Sequence, residues 1–223
     1  MDKFKVLFLT EAREFLLELN EKSRAKIIFN IDKSKIKNDN ELFKKLKGEI
    51  WEFRTLYNKT YFRIFAFWDK TEKIETLVLA THGIIKKTGK TPEKEIEKAE
   101  NIRLDILNLK MREMKNKEKE LEMFSFDQIK DEFIGEVGTE KRSLYEQELQ
   151  MEILGDLIKK VRLERNMTQE ELGKLIGVQR AQISKLENNT TNVTVETILR
   201  VFSALKAKVN FNVELLNNNT KIA

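Results

Sequence analysis

Five side chains in the first half of the sequence could act together on a phosphate ester: His82, Arg54, Arg63, Lys86 and Lys87. An imidazole titrates near neutral pH and can serve as a general acid or base. Two arginines on one face of a sheet can clamp a phosphate through paired hydrogen bonds, and lysines beside them add positive charge. These five residues form a candidate catalytic set.

Each member of this set also has a structural interpretation. A single histidine at a strand end is often only a hydrogen-bonded structural residue, and Lys86 and Lys87 could be plain solvated charges. Arg54 could form an internal ion pair with Glu52. Without further information, a basic sheet of this kind binds RNA or an acidic protein with equal plausibility.

Aromatic residues near the set could stack on an unpaired base. Tyr61 and Trp68 are the candidates, although Trp51 and Trp68 fit a hydrophobic core better. The sequence has no Cys and one His. This composition excludes disulfide scaffolds, thiolate zinc sites, cysteine nucleophiles and histidine-rich metal sites. We expect no cofactor and no metal.

Charge is distributed unevenly along the 223 residues. Residues 1–113 carry 25 basic and 19 acidic side chains, residues 114–150 carry 6 and 10, and residues 151–223 carry 11 and 8. We therefore expect three parts with these bounds. Two basic blocks flanking an acidic one suit two modules that face nucleic acid, joined by a segment able to cover a basic surface.

The first block is predicted to be a small α+β domain with an antiparallel sheet. Short connections join the runs rich in β-branched and aromatic residues, so an antiparallel meander is expected, with one sheet face left open to solvent or ligand. The predicted elements are a strand at 4–10 followed by a helix, a helix at 39–46, strands at 49–57, 60–69 and 74–82, and a helix from Pro92 to about residue 120.

The acidic block 114–150 is predicted to be partly ordered connecting structure. A short helix at 126–133 is expected to pack onto a partner surface. Phe124, Phe126, Phe133 and Ile134 are expected to fill apolar pockets there, assisted by opposite charge.

The most specific pattern lies in residues 152–205, which predict an all-α bundle with helices at 152–165, 168–175, 179–187 and 194–205. Thr168 and Thr194 are predicted N-caps, and Gly177 the tight turn before the third helix. Apolar residues, Leu157 among them, fall where a small bundle would bury them. The final segment, 208–216, alternates as a half-buried strand and is our candidate for a dimer contact.

The third helix of this bundle presents side chains that hydrogen-bond to base edges and phosphates, as a helix in the major groove does. The candidate DNA-binding residues are Thr168, Gln169, Gln179, Arg180, Gln182, Ser184 and Lys185.

Three stretches of the first block, WEFR (51–54), YFRIFAF (61–67) and THGIIKKTGKTPEKEIEKA (81–99), resemble the RelE/ParE-superfamily toxins, specifically the HigB-like, phage-derived branch. The resemblance covers most of residues 1–105. It implies a RelE-like α/β fold and ribosome-dependent, metal-independent mRNA cleavage, with the role of Arg63, His82 and Lys87 carried over most strongly. Some branches of this superfamily act on DNA gyrase instead.

The stretch TQEELGKLIGVQRAQISKLENN (168–189) resembles the Xre/Cro-type helix-turn-helix family, and FDQIKDEFIGEVGTEKRSLYEQEL (126–149) resembles HigA-like antitoxins. Together the resemblances imply a type II toxin–antitoxin system in one chain, with toxin-neutralising contacts from Phe124, Phe126, Phe133 and Ile134. The implied partners are operator DNA, mRNA on the ribosome, a toxin–antitoxin complex within or between chains, and a second copy bound through the antitoxin half.

Two alternatives remain open. The chain could be a non-enzymatic transcriptional regulator whose first block senses a signal or dimerises, which a buried, hydrogen-bonded His82 and a structural ion pair at Arg63 would favour. It could also carry a toxin half that targets gyrase. Because no apolar run approaches the roughly 20 residues of a membrane helix, we expect a cytoplasmic protein without a membrane partner.

Overall fold

The computed structural model of the chain describes residues 3–37, 39–69, 77–86, 90–113, 122–188 and 193–210. The chain divides into two compact units, residues 1–149 and 150–223. Among the described residues, none of the helices combines the length and the apolar character needed to cross a membrane.

The first unit combines a mixed sheet with helices on both of its faces. Its elements are β1 (Lys5–Leu9), α1 (Thr10–Glu18), α2 (Glu21–Ile36), β2 (Phe43–Lys45), β3 (Ile50–Tyr57), β4 (Thr60–Asp69), β5 (Leu77–Lys86), α3 (Glu93–Glu113), β6 (Met123–Ser125), α4 (Phe126–Phe133) and the start of α5 (Glu140–Glu164).

The sheet has the strand order β2-β3-β4-β5-β1-β6. The meander β3-β4-β5 is antiparallel, as predicted, and the β3-β4 turn uses Asn58 and Lys59 in the left-handed conformation that two-residue hairpins require. The sheet as a whole is mixed, because β1 lies parallel to β5. A parallel neighbour is available because the chain between these strands is long enough for a crossover.

Residues 62–67 of β4 are all buried, so the open sheet face expected from the sequence is absent there. On one face α3 packs Ala99 and Ile106 against Phe65 and Phe67. On the other face α1 contacts β5 and α2 contacts β3. A strand covered on both sides carries bulky residues at successive positions, and YFRIFAF is such a run.

The helix predicted at 39–46 is wrong, since this segment forms a turn followed by β2. Phe43 stacks on Phe53 of β3 at a centroid distance of 4.4 Å and on Trp51 at 4.9 Å. The backbone N–H of Arg54 donates to the carbonyl of Leu42 at 2.7 Å. Cross-strand aromatic packing therefore prevails over the helical spacing of three apolar residues.

Residues 123–133 form more regular structure than predicted. Helix α4 has the predicted bounds, and its N-cap Ser125 accepts a hydrogen bond from the N–H of Gln128 in a capping box. The short strand β6 was not predicted. It pairs antiparallel with β1 and so covers an edge that would otherwise be exposed.

The second unit contains the end of α5, then α6 (Gln169–Ile176), α7 (Arg180–Glu187) and α8 (Val195–Ala204). Leu172, Ile183 and Val201 form its core with other apolar residues, as predicted. Leu157, however, is 45% exposed, whereas its neighbour Ile158 is fully buried. The helix therefore faces the core with a phase one residue later than the sequence suggested.

The strand predicted at 208–216 lies largely outside the described residues. Residues 208–210 are described and are not in a strand. The dimer contact assigned to this segment stays a prediction.

The close approach of α1 to β5 at Gly83 gives a stability test. A Cβ at Gly83 would lie 2.0 Å from Cδ1 of Phe15. We expect Gly83→Ala to lower the free energy of unfolding by about 1–3 kcal/mol, because overpacking displaces buried groups. Urea unfolding followed by Trp fluorescence reports on this unit, since both tryptophans, Trp51 and Trp68, belong to it.

The control is the double variant Gly83→Ala/Phe15→Ala. Without the ring the added methyl has no clash, so the double variant should lose less stability than the two single losses combined. Additive losses would contradict the contact.

Candidate functional site

Arg54 and Arg63 lie side by side on the sheet face that α3 covers. They are direct cross-strand partners on β3 and β4. The carboxylate of Glu52 lies 3.3 Å from Arg63 Nε and 3.5 Å from Arg54 Nε. The shared sheet face and the internal pair between Glu52 and Arg54, both anticipated from the sequence, are present.

Lys86 joins this group from β5. Its Nζ donates to the hydroxyl of Thr91 at 2.8 Å, and that hydroxyl donates to Glu52 Oε2 at 2.9 Å. Thr91, which precedes α3, therefore bridges a cation and a carboxylate. The fifth candidate, Lys87, lies outside the described residues. We name Glu52, Arg54, Arg63 and Lys86 the cationic cluster.

The cationic cluster holds more positive than negative charge. Its one carboxylate, Glu52, is buried, and the further carboxylate near Arg54 belongs to the largely exposed Glu41. Within the described part of the chain, the Nε–H groups of Arg54 and Arg63 make no well-aligned hydrogen bond, although the Glu52 carboxylate lies within ion-pair distance of both. Buried donors without acceptors cost stability unless a ligand satisfies them.

Burial weakens the charged forms of two cluster members. It lowers the pKa of Arg63 against the opposing effect of Glu52, and it lowers the pKa of Lys86, with Arg63 adding to the effect. A bound phosphate would stabilise the charged forms of both Arg63 and Lys86, since it supplies negative charge and several acceptor oxygens.

His82 is buried, with 3% of its surface exposed. Its ring stacks on Phe65 at 4.7 Å, Nε2 lies 3.2 Å from Glu95 Oε2, and Nδ1 lies 3.0 Å from the hydroxyl of Thr81. Burial and the ammonium of Lys98 lower the pKa of His82, while Glu95 opposes them. The imidazole is therefore neutral at pH 7 and closed off from solvent.

The sequence predicts His82 at the end of the strand 74–82, but the residue lies inside β5. The strand continues to Lys86 because β4 offers it pairing partners as far as Tyr61. Glu95 and Thr91 were missed as contacts of the site. The sequence marked them only as the start of a helix, and the packing of α3 on the sheet is what brings them to His82 and Glu52.

The second unit positions the start of α7 at its surface. Helix α6 begins at Thr168, whose hydroxyl accepts from the N–H of Glu171 at 3.1 Å, and ends at Gly177 in the left-handed conformation. A Cβ on Gly173 would lie 2.6 Å from the carbonyl oxygen of Val178, so the turn between α6 and α7 needs this glycine. The predicted N-caps at Thr168 and Thr194 are confirmed.

The candidate DNA-binding residues lie mainly on the surface of this unit. Exposed are Thr168, Gln179, Arg180, Gln182 and Lys185, and partly buried are Gln169 and Ser184. The Oε1 of Gln182 accepts the N–H of Gln179 at 3.2 Å. The structure thus brings five of the seven to solvent, four of them at and after the start of α7 and Thr168 at the start of α6.

A buried ion pair that sequence reasoning missed anchors α7. Arg162 of α5 donates through Nε and Nη2 to the two carboxylate oxygens of Glu187, at 2.5 and 2.9 Å. Gln169 donates to the same carboxylate at 2.9 Å. The Arg162 guanidinium and Gln169 together hold the pKa of Glu187 low despite its burial, and Gln169 is engaged internally.

Three of the four predicted neutralising residues contact β1, α1 and α2 of their own unit, and the fourth is buried. Phe126 stacks on Phe8 at 6.1 Å, the ring of Phe133 lies 4.5 Å from the guanidinium of Arg24, and Ile134 is buried. Phe124 is only partly buried and lies under the guanidinium of Arg13 at 4.8 Å. We name residues 122–149 the clasp.

Polar contacts at the clasp complement these apolar ones. Arg13 donates two hydrogen bonds to the carboxylate of Glu132, at 2.8 and 2.6 Å. Buried Asp32 accepts from the hydroxyl of Tyr145 at 3.1 Å and lies 3.5 Å from Lys130 Nζ. Burial and Asp32 raise the pKa of Tyr145. The Asp32 contacts had no signal in the sequence.

Two family models match separate parts of this chain. The family described as phage derived protein Gp49-like (DUF891) matches residues 14–103, and the helix-turn-helix family matches residues 158–211. The chain joins a Gp49-like domain to a helix-turn-helix domain. The Gp49-like match contains the cationic cluster and His82, and the helix-turn-helix match contains α6, α7 and α8.

Relatives of the helix-turn-helix domain include a named antitoxin. Antitoxin HipB of Escherichia coli (strain K12) is 40% identical over 53 residues, which are 24% of this chain and 60% of HipB. This chain therefore spans about three fifths of that relative.

Three solved structures are each 34% identical to part of the chain. One is a variant of a restriction-modification controller protein, with 26% of this chain and 77% of that chain covered at a TM-score of 0.25. The others are a HipB variant in complex with the 20mer O2 (28% and 86%, TM-score 0.26) and a complex of HipA, HipB, O2 and O3 (28% and 87%, TM-score 0.26).

The buried state of His82 makes the stability of the Gp49-like domain depend on pH. In the unfolded chain His82 binds a proton near its ordinary pKa of about 6.5, while in the folded chain it resists protonation. The unfolded state then binds more protons below about pH 6.5, so the free energy of unfolding should fall between about pH 7 and pH 5. Above about pH 7 the residue contributes no pH dependence.

Urea unfolding followed by Trp fluorescence across this pH range measures the effect. His82→Gln serves as the control, because glutamine does not titrate and His82 is the one histidine of the sequence. The variant should show a flatter pH dependence. An equal loss of stability in both proteins, or a gain on acidification, would contradict the assignment of a neutral His82.

Proposed function

We propose that the chain is a type II toxin–antitoxin pair in one polypeptide, a HigB-like toxin followed by a HigA-like antitoxin. The helix-turn-helix domain binds operator DNA and represses its own operon, and the clasp restrains the toxin. The match to Antitoxin HipB supports an antitoxin in the second half. As in other readers of palindromic DNA, two copies engage two half-sites, joined through the antitoxin half.

The observation that carries the DNA-binding part is the exposed start of α7. Arg180, Gln182 and Lys185 are all exposed, while Ile183 and Leu186 of the same helix are in the core. The helix is thereby fixed on one side and presents hydrogen-bonding side chains on the other. Arginine and glutamine can each form two hydrogen bonds to the major-groove edge of a base.

For the toxin half we propose an mRNA interferase. RNA cleavage by its own 2′-hydroxyl needs removal of that proton, stabilisation of charge on the phosphorane and protonation of the leaving oxygen. Arg54, Arg63 and Lys86 hold the phosphate, with Lys87 as a further cation. His82 transfers the proton once it is exposed, which requires the start of α3, with Glu95, to move away.

The clasp restrains the toxin without occupying the cationic cluster. Helix α4 contacts α2, and Glu132 and Tyr145 bond to Arg13 and Asp32. None of the described side-chain bonds of residues 122–149 involves a member of the cluster. We propose that the clasp keeps the domain in the closed state, in which α3 covers His82.

A second candidate function is a transcriptional regulator with no enzymatic role. The burial of His82, its bonds to Thr81 and Glu95, and the ion pair of the buried Arg63 with Glu52 favour it. In that case residues 1–113 sense a signal or dimerise. The Nε–H groups of Arg54 and Arg63 favour the enzyme instead, because both lie near Glu52 without forming a well-aligned hydrogen bond, which a purely structural ion pair would normally provide.

The DNA-binding proposal predicts a loss of sequence specificity in α7 variants. Arg180→Ala and Gln182→Ala should each weaken binding to the DNA upstream of the reading frame by about 1–3 kcal/mol, with little change for unrelated DNA. Fluorescence anisotropy with the full chain at one fixed salt concentration measures both affinities. Lys160→Ala, which removes an exposed lysine of α5, is the matched control. Unchanged preference in both α7 variants would refute the assignment.

The toxin proposal predicts that the clasp decides activity. Expression of residues 1–113 should arrest growth and produce new, ribosome-dependent mRNA 5′ ends, whereas residues 1–149 should be harmless because the clasp is present. Arg63→Ala and His82→Ala in residues 1–113 should each abolish the cuts. Primer extension on a cell-free translation reaction measures them.

Lys59→Ala, at an exposed turn of the same domain, is the control and should still cut. A folded 1–113 fragment, checked by circular dichroism, that leaves mRNA and growth unaffected would favour the regulator. Growth arrest with intact mRNA and inhibited supercoiling would identify gyrase as the target.

A further inference from the structure

A cavity of about 440 Å³ lies on the sheet face opposite the cationic cluster. Its aromatic wall consists of Phe4, Phe43, Trp51 and Trp68. Trp51 and Trp68 pair in register with Ala66 and Val78, so their side chains alternate with those of the cluster along the strands. The volume falls within the ~300–1,000 Å³ of typical small-molecule sites.

The two indoles supply the exposed part of this wall. Phe4 and Phe43 are 5% and 8% exposed, whereas Trp51 and Trp68 are only partly buried. The indole planes are nearly perpendicular, at 84° and 6.0 Å between centroids, and Phe43 stacks behind Trp51 at 4.9 Å. The parts of this T-shaped indole pair that remain exposed can hold a planar ring by stacking or by edge contact.

The polar rim favours a negatively charged group. Lys3 and Lys37 line the cavity together with one carboxylate, Asp39, which lies 3.2 Å from Lys37 Nζ. Lys3 is tied to the end of α2, since its backbone N–H donates to the carbonyl of Lys35 at 2.8 Å. An aromatic cage alone would also suit a quaternary ammonium, but two lysines at the rim repel such a cation.

We propose that this cavity binds a nucleoside 5′-phosphate, with the base against Trp51 and Trp68 and the phosphate at Lys3 and Lys37. The combination of an aromatic platform and a cationic rim is what recognition of a single nucleotide requires. The site is separate from the cationic cluster and goes beyond the proposed function, because it lies on the other face of the sheet.

The chain provides its own reporter for this site. Its two tryptophans are both part of the cavity wall. A titration of the full chain with AMP and, separately, with UMP, excited at the red edge of the indole band, should show saturable quenching. Ribose 5-phosphate should not quench, and adenosine should bind more weakly than AMP. A parallel titration with pentauridylate tests whether the cavity accepts a nucleotide within an RNA strand. Tighter binding of pentauridylate than of UMP would indicate an RNA strand as the ligand. Equal or weaker binding would indicate a free nucleotide.

Matched lysine variants test the rim. Lys37→Gln should weaken nucleotide binding about tenfold, the loss expected for one charge-assisted contact. Lys44→Gln is the control, because Lys44 is exposed on β2 and pairs in register with Glu52, on the other face of the sheet. The nucleotide affinity of the Lys44→Gln variant should equal that of the unchanged protein. Lys3→Gln provides a second rim variant should Lys37→Gln fail to fold.

The absence of saturable quenching by either nucleotide up to roughly 10 mM would overturn the proposal. Equal nucleotide affinity in both rim variants and in the Lys44→Gln control would also overturn the proposal. Arg63→Gln separates the two sites: quenching retained in this variant supports the cavity, whereas quenching lost in the folded variant would place the nucleotide at the cationic cluster. The result is independent of whether the first unit cleaves mRNA.

Discussion

Strand β4 has both of its faces buried, and this constraint shapes the first unit. Residues 62–67 form an uninterrupted buried run, so helices must cover the sheet on each side. With α3 seated by Ala99 and Ile106 on one face, the start of that helix comes to lie over the row of charges on β3 and β4. The contact between Glu95 and His82 is thus a consequence of core packing. A change that frees His82 must also loosen the packing of α3, which links the chemistry of the site to the stability of the domain.

The parallel pairing of β1 with β5 also makes the sheet of the first unit depend on β6. It leaves the other side of β1 to be covered, and β6 covers it from beyond the family match. The buried carboxylate of Asp32 in turn has Lys130 and Tyr145 among its partners. A charged group buried without partners is costly. Residues of β6 and of the clasp therefore complete both the sheet and the charge balance of the Gp49-like domain, and the two cannot be treated as independent pieces.

Local patterns accounted for much of this architecture, and long-range packing for the remainder. The meander, α4 and the three helices after residue 168 follow from alternation, capping residues and turn residues, which act over a few positions. Segment 39–46 was misassigned because the aromatic partners of Phe43 lie on another strand. Three-residue β6 has no periodicity to detect. The shared sheet face of Arg54 and Arg63 was predictable from register, but the burial of His82 depends on a helix that follows it in the chain and returns to the sheet.

The ion pair of Arg162 with Glu187 bears on how α7 could read DNA. A buried pair of this kind adds little net stability relative to apolar residues of similar size, because desolvation offsets the attraction. It does fix the helix about its own axis, since both carboxylate oxygens of Glu187 are held at once. A slip of one residue would turn α7 by about 100°, enough to bring Gln182 to the buried position that Ile183 occupies. The pair therefore adds little stability but gives the exposed side chains a defined orientation. A helix needs such an orientation when its side chains must match the edges of particular bases.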